Sequence, residues 1–168
     1  EACRTAIELD PMFPHPHVNL GNALMRSGRF DKAIAEYRTA IELDREFTIA
    51  HINLGDALSR QGEQKLAVAE YRTAIEFEPE NIHAHSRLGD ALLNQGQLDE
   101  AIDEYRKSIE LAPNSLRAHI DLGLALAKNG QTDEGVAEIE SVVEIDPNYS
   151  AVFTRLGGEL SDAGHLKE

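Results

Sequence analysis

The sequence lacks the features that several protein classes require. Cys3 is the single cysteine among 168 residues, so no disulfide bond can form within the chain. Tryptophan is absent and aromatic residues make up 5%, whereas 42% of residues are hydrophobic, which suits thin packing of helix on helix. No apolar run approaches the roughly 18 residues of a membrane-spanning helix. A disulfide-stabilised domain is excluded, and the composition favours a reducing compartment such as the cytoplasm.

Positive charge is also scarce. The chain has 16 lysines and arginines against 30 aspartates and glutamates, a net charge of −14. Lysine and arginine supply the attraction to nucleic-acid phosphates and to anionic membrane surfaces. We therefore expect neither nucleic acid nor a membrane as the partner.

Motifs of catalysis are missing as well. The sequence contains no glycine-rich phosphate loop, no nucleophile elbow and no pairing of cysteine with histidine. Its carboxylates are numerous but scattered, and Cys3 lies in an apolar helical pattern that favours packing over reactivity. The sequence predicts no enzymatic activity, no cofactor and no metal site.

What the chain does contain is a 34-residue period without insertion or deletion. Leu-Gly pairs begin at positions 20, 54, 88, 122 and 156. Each period holds two helical patterns, one ended by glycine and the other by proline, with Arg45 in one of the proline positions. This pattern predicts helices over 1–9, 15–27, 31–43, 48–61, 65–77, 82–95, 99–111, 116–129, 133–145 and 150–163. No strand is predicted, and the turn over 44–48 is expected to be less fixed than its proline counterparts.

The glycine of each Leu-Gly pair indicates tightly packed helix pairs. Glycine within a helix costs about 1 kcal/mol relative to alanine, and close approach of the partner helix would offset that cost. The second helices supply the matching small and bulky residues, namely Ala33, Ala67, Ala101, Ala40, Ala74, Tyr37, Tyr71 and Tyr105. The fourth repeat has Gly135, Ile139 and Val142 instead, so its second helix is predicted to be the least regular.

This set of phased residues resembles the tetratricopeptide repeat (TPR). The resemblance covers the whole chain and implies an all-α, right-handed superhelical α-solenoid of stacked helix-turn-helix repeats. It places repeats at 14–47, 48–81, 82–115 and 116–149, with the end of a truncated repeat at 1–13 and the start of another at 150–168. The chain is therefore expected to come from a longer array, with apolar ends that could self-associate.

One histidine per repeat forms a column, consisting of His17, His51, His85 and His119. Equivalent positions in successive helix pairs lie at least 8–10 Å apart, too far to share one metal ion. The two His-x-His segments are 15–17 and 83–85. Residues two positions apart on a helix point in different directions, so the two histidines of a segment are not expected to bind one metal ion. The column is predicted to pack and to form hydrogen bonds between helices.

The TPR resemblance implies that the first helices line a concave peptide-binding groove. The candidate groove residues are Asn19, Asn22, Arg26, Asn53, Asp56, Arg60, His83, Arg87, Asp90, Arg117 and Asp121. The expected central anchors are Asn19, Asn22, Asn53 and Arg87. Over the whole face, basic residues outnumber acidic ones by six to four, so the groove is the least acidic surface and favours a partner with negative charge.

Two branches of the family sharpen this expectation. Chaperone-binding TPR proteins clamp a C-terminal carboxylate, and Asn22, Asn53 and Arg87 match their pattern. His83 replaces one lysine of that clamp and Val18 replaces another. O-linked N-acetylglucosamine transferases carry an asparagine ladder, of which Asn19 and Asn53 resemble two rungs.

Three functions are compatible with this sequence. The first is a non-catalytic scaffold that binds an extended peptide or a partner helix in the groove. The second is a structural element that assembles head to tail through its ends. The third is the substrate-recruiting arm of a larger enzyme, such as a glycosyltransferase.

Overall fold

The computed structural model describes residues 10–149 together with Thr5 and Ile7. Within that part the chain forms eight α-helices and one short 3-10 helix, and no strand is present. The helices are α1 (Pro14–Arg26), α2 (Phe30–Leu43), α3 (Thr48–Arg60), α4 (Gln64–Phe77), α5 (Ile82–Asn94), α6 (Leu98–Leu111), α7 (Leu116–Lys128) and α8 (Thr132–Ile145). Each predicted helix bound in this part lies within one residue of the observed one. Cys3 and the predicted helix over 150–163 fall outside the described residues.

Glycine ends the first helix of each repeat for a conformational reason. Gly62 follows α3 with a φ of +86°, a left-handed conformation that side chains with a Cβ rarely adopt. Its N–H donates to the Ser59 carbonyl at 3.0 Å, and the N–H of Glu63 donates to the Leu58 carbonyl at 2.9 Å. These two bonds satisfy carbonyls that the helix end leaves open.

The glycine of the Leu-Gly pair lies against the tyrosine of the second helix. A Cβ built on Gly55 would lie 2.5 Å from Cε1 of Tyr71. The ring of Tyr71 is 2% exposed, and Ala67 and Ala74 on the same helix are fully buried. Gly21 meets Tyr37 in the same way. The predicted close approach of paired helices is therefore confirmed.

The fourth repeat reaches close packing by a different route. Ile139 replaces the tyrosine and lies against Gly123, while the backbones of Gly123 and Gly135 come into direct contact. A Cβ on Gly135 would lie 2.5 Å from the Gly123 carbonyl oxygen. Helix α8 has 14 residues, as many as α2, so the prediction of a less regular second helix is wrong. Ile139 thus replaces the tyrosine contact without interrupting α8.

The chain divides into two compact units, Glu1–Ala91 and Leu92–Glu168. In the first unit α1 packs on α2, α2 on α3, α3 on α4, and α1 also touches α3. In the second unit α6 packs on α7, α7 on α8, and the 3-10 helix on α8. The all-α fold class of consecutively packed helix pairs is confirmed. In the first unit this order makes α1 and α3 neighbours, so their exposed faces form one surface.

No helix in the described part of the chain is both long enough and apolar enough to cross a membrane. The self-association predicted from sequence concerns chain ends that lie outside residues 10–149. It stays a prediction.

Candidate functional site

A cavity of about 560 Å³ lies between the exposed faces of α1 and α3. We call it the α1–α3 cavity. Its lining includes six of the candidate groove residues, Asn19, Asn22, Arg26, Asn53, Asp56 and Arg60, together with Ala23, Met25 and Tyr37. Positions 34 residues apart, such as Asn19 and Asn53 or Arg26 and Arg60, line the same cavity because the repeat places equivalent positions on neighbouring helices.

Two asparagines form an amide pair in this cavity. Nδ2 of Asn53 donates to Oδ1 of Asn22 at 3.2 Å, and the hydroxyl of Tyr37 donates to the same oxygen at 2.7 Å. An asparagine amide offers two donor hydrogens and an acceptor oxygen. Within the described residues, the Asn22 amide hydrogens and the Asn53 oxygen have no protein partner, so both groups remain available to a ligand.

The two tyrosine hydroxyls connect the buried packing to this surface. Tyr71 donates to Oδ1 of Asp56 at 2.8 Å, as Tyr37 does to Asn22. Burial, reinforced by the negative charge of Asp56, raises the pKa of Tyr37 to about 12. Burial and Asp56 also raise the pKa of Tyr71. Both hydroxyls therefore remain protonated donors, which fixes the acceptor atoms of Asn22 and Asp56.

A second cavity, of about 390 Å³, lies between α3 and the start of α5. We call it the α3–α5 cavity. It is lined by Ile49, Ile52, Asn53, Asp56, Glu78, Asn81, His83 and Arg87. Ile49 is 49% exposed, so this cavity offers an apolar surface beside the polar one, and Asn53 and Asp56 border both cavities.

Arg87 does not lie in the cavity as a free cation. Its Nε lies 3.1 Å from Oδ1 of Asp56, and its Nη1 lies 3.5 Å from Oδ2 of Asp90. Both carboxylates offset its charge, and the bond to Asp56 links α5 to α3. By contrast, Arg26 and Arg60 have no carboxylate partner in the described part of the chain. The α1–α3 cavity is therefore lined by two arginines whose charge no described carboxylate pairs with.

Two further candidates belong to the second compact unit. Arg117 donates to Asp121 on the same helix at 3.0 Å, and both belong to the second compact unit. Ile120 and Leu124 are partly buried against the cluster of Ala127 and Ile139. Val18, at the lysine position of the carboxylate clamp, is 4% exposed. Within the first unit the structure brings together the candidates of the first three repeats, and in the second unit Arg117 pairs with Asp121.

Family models for TPR repeats match the chain over residues 21–62, 55–96 and 89–130, and a tetratricopeptide-repeat model matches residues 116–149. The matched segments together span most of the sequence. The chain belongs to the tetratricopeptide repeat family. Proteins of this family are in general non-catalytic scaffolds for protein interaction. Comparison with curated protein sequences gives no significant match.

Solved TPR structures share this fold. A crystal structure of MamA superimposes with a TM-score of 0.80 at 27% identity, covering 89% of this chain and 88% of that one. YrrB, described as a TPR protein with an unusual peptide-binding site, gives 0.80 at 26% identity over 99% and 86% of the two chains. MamA from Desulfovibrio magneticus RS-1 gives 0.78 at 20% identity over 87% and 82%.

The histidine column of this TPR chain forms hydrogen bonds between helices, as predicted. Nδ1 lies 2.8 Å from a second-helix glutamate oxygen in three repeats, in the pairs His17–Glu36, His51–Glu70 and His119–Glu138. The histidines of the column are buried, whereas His15 is exposed and stacks on Phe13. Among the described residues, no group of three or more histidine, cysteine or carboxylate side chains could hold a metal ion.

Sequence reasoning missed the partners of these residues. Tyr37 and Tyr71 were assigned to packing only, although their hydroxyls set the orientation of two cavity residues. The glutamates of the histidine pairs were not singled out. A signal for them does exist, because a glutamate follows each histidine of the column at a spacing of 19 residues.

Proposed function

We propose that this TPR chain holds an extended, acidic peptide across the α1–α3 and α3–α5 cavities. The observation that carries the proposal is the Asn22–Asn53 amide pair, whose open donor and acceptor groups face the α1–α3 cavity. A peptide in extended conformation presents both N–H and C=O groups along its backbone. The pair can therefore bind backbone without selecting side chains.

The cationic residues of the α1–α3 cavity support a preference for negative charge. Arg26 and Arg60 line the same cavity as the amide pair, on neighbouring first helices. The chain as a whole has a net charge of −14, so an acidic peptide is repelled by most of the surface and attracted here. Such contrast favours correct placement and specificity. The description of YrrB as having a peptide-binding site supports the same kind of ligand.

Asn53→Ala is expected to weaken peptide binding about tenfold, because the variant removes one bond to the ligand backbone and leaves Asn22 less well oriented. Peptides are first selected on the native chain from a displayed random library, and their affinities are then measured by calorimetry. Asn114→Ala, in an exposed turn, is the matched control and should keep native affinity. If Asn53→Ala bound the peptides as tightly as Asn114→Ala does, the assignment of Asn53 to the peptide-binding groove would be wrong.

The double variant Arg26→Ala/Arg60→Ala is expected to lose the preference for acidic peptides. Each arginine can make charge-assisted hydrogen bonds to a ligand carboxylate, so removing both should cost about tenfold or more in affinity. Neutral analogues, with Gln for Glu and Asn for Asp, should then bind the variant as well as the acidic originals do. Arg38→Ala, on the exposed face of α2, is the control. An acidic preference that survives the double substitution would contradict this assignment.

A further inference from the structure

Two buried histidines have acceptor atoms against both ring nitrogens. Nδ1 of His51 lies 2.8 Å from a Glu70 carboxylate oxygen, and Nε2 lies 3.0 Å from the Arg45 carbonyl oxygen. His119 repeats this arrangement, with Glu138 at 2.8 Å and the Pro113 carbonyl at 2.9 Å. We call these two groups of three residues the histidine clamps. Each joins a first helix, its second helix and the turn before the first helix.

The hydrogen bonds of a clamp require one more proton than a neutral histidine and an ionised carboxylate have between them. A backbone carbonyl only accepts, so Nε2 must carry a proton. A neutral imidazole has a single N–H, which leaves Nδ1 facing the carboxylate as a second acceptor. One additional proton between Nδ1 and the glutamate removes this conflict. The His51 clamp is therefore complete only when it binds that proton.

The neighbouring groups do not replace this proton. The Ser141 hydroxyl lies 3.2 Å from Nδ1 of His119, but it donates to the Glu138 carbonyl at 2.6 Å. His51 faces the apolar ring of Phe77 on α4, with ring centroids 5.7 Å apart. The carboxylate of Glu70, which is also on α4, faces the His51 ring. The Arg45 carbonyl faces the ring from the turn after α2.

We propose that the His51 clamp is a proton-dependent lock that holds α3, α4 and the turn before α3 together more firmly in mildly acidic than in alkaline solution. Parts of the arrangement recur in the other repeats. His17 makes the bond to its glutamate, Glu36, and Nε2 of His85 lies 2.9 Å from the Pro79 carbonyl oxygen. The turn at Arg45, predicted to be less fixed, has the same bond because its acceptor is backbone and does not require proline. This inference does not depend on the proposed peptide binding.

The direction of the pH effect follows from the groups around His51. Burial by itself lowers the pKa of His51, but the hydrogen bonds to Glu70 and to the Arg45 carbonyl, with the charge of Glu70, raise it above 6.5 in net effect. A histidine with a higher pKa in the folded chain stabilises the fold fully below its unfolded-state pKa. That contribution is lost as the pH rises through the folded-state pKa. The clamp is thus closed in acid and opens on the alkaline side.

Glu70→Gln tests the lock because the glutamine amide can donate to Nδ1 of a neutral histidine. Hydrogen-exchange protection of α3 and α4 amides, corrected for intrinsic exchange, is measured between about pH 5 and about pH 8, where histidine titrates. In the native chain, protection should fall several-fold as the pH rises. Glu70→Gln should flatten this dependence, whereas Glu76→Gln, which removes an exposed charge from the same helix, should retain it.

Ring-nitrogen NMR of the native chain gives a second readout that needs no variant. Both nitrogens of His51 should be protonated in mildly acidic solution, and the ring should lose a proton at higher pH than in the urea-unfolded chain. The proposal is overturned if the pKa of His51 in the folded chain is at or below its pKa in the unfolded chain. It is equally overturned if Glu70→Gln alters the pH dependence of protection no more than Glu76→Gln does.

Discussion

Replacing Gly55 by alanine is expected to destabilise the protein by about 1–3 kcal/mol, the usual range for inserting an extra carbon into a close-packed core. The sign is informative because the same replacement within an unconstrained helix would stabilise it by about 1 kcal/mol. In α3 the new Cβ would lie 2.5 Å from Cε1 and 2.8 Å from Cζ of Tyr71. Packing strain should therefore outweigh helix propensity.

The tyrosine has little freedom to move out of the way. Its ring is 2% exposed, and its hydroxyl donates to Asp56 at 2.8 Å. A ring that rotated away from a methyl group at position 55 would break that bond and leave a buried hydroxyl without its acceptor. The destabilisation should appear as a lower urea-unfolding midpoint by far-ultraviolet circular dichroism.

A double-mutant cycle separates this contact from any general effect of the substitution. Tyr71→Leu removes Cε1 and Cζ, the two ring atoms nearest to the methyl group, at its own cost in burial. In that background Gly55→Ala should be neutral or stabilising, because only helix propensity remains. A substitution that is equally harmful in both backgrounds, or stabilising in the native chain, would show that the contact with Tyr71 does not explain the glycine.

The local architecture was largely predictable from the sequence because the repeat encodes it redundantly. Gly62 ends α3, Leu54 and Gly55 mark its buried face, and Tyr71 fills the space opposite. The capping glycine and the Leu-Gly pair recur every 34 residues, and the tyrosine recurs in the first three repeats, so helix bounds follow from several independent positions. The period also places Asn53 on the face opposite Leu54, where the α1–α3 cavity lies.

Pairing between side chains of the groove could not be read from the same period. A repeat pattern gives the face of each helix but not the distance between side chains of neighbouring repeats. Arg87 was predicted as a ligand anchor, yet its guanidinium lies between Asp56 and Asp90. Arg26 and Arg60 occupy an equivalent position in successive repeats and have no such partner in the described part of the chain. Whether an arginine is paired therefore depends on acids at other positions, including Asp56 of the preceding repeat in the case of Arg87.

The fourth repeat gives the second large expected effect, at Gly135. The first three repeats have alanine at this position, Ala33, Ala67 and Ala101. Restoring the common residue of a repeat usually stabilises a protein, and alanine is the better helix former. Gly135→Ala is nevertheless expected to destabilise this chain by about 3 kcal/mol. The reason is that the new Cβ would lie 2.5 Å from the Gly123 carbonyl oxygen and 3.1 Å from the Ala127 backbone nitrogen.

Backbone atoms cannot rotate away, so relief requires α7 and α8 to separate. The residue that sets their distance is Ile139, which is 2% exposed and lies against Gly123 where the first two repeats have tyrosine against glycine. A larger ring at position 139 should hold the helices at the wider spacing that an alanine at position 135 needs. Gly135→Ala/Ile139→Tyr should therefore recover a large part of the stability lost in Gly135→Ala, although Ile139→Tyr alone should destabilise by overpacking.

The test compares unfolding midpoints of the native chain, both single variants and the double variant in urea. Recovery in the double variant, beyond the sum of the single effects, would establish that glycine at 135 and isoleucine at 139 are one packing solution. Additive losses would mean that the two substitutions act independently. In that case the close contact between Gly123 and Gly135 would not be the cause of the departure from the repeat.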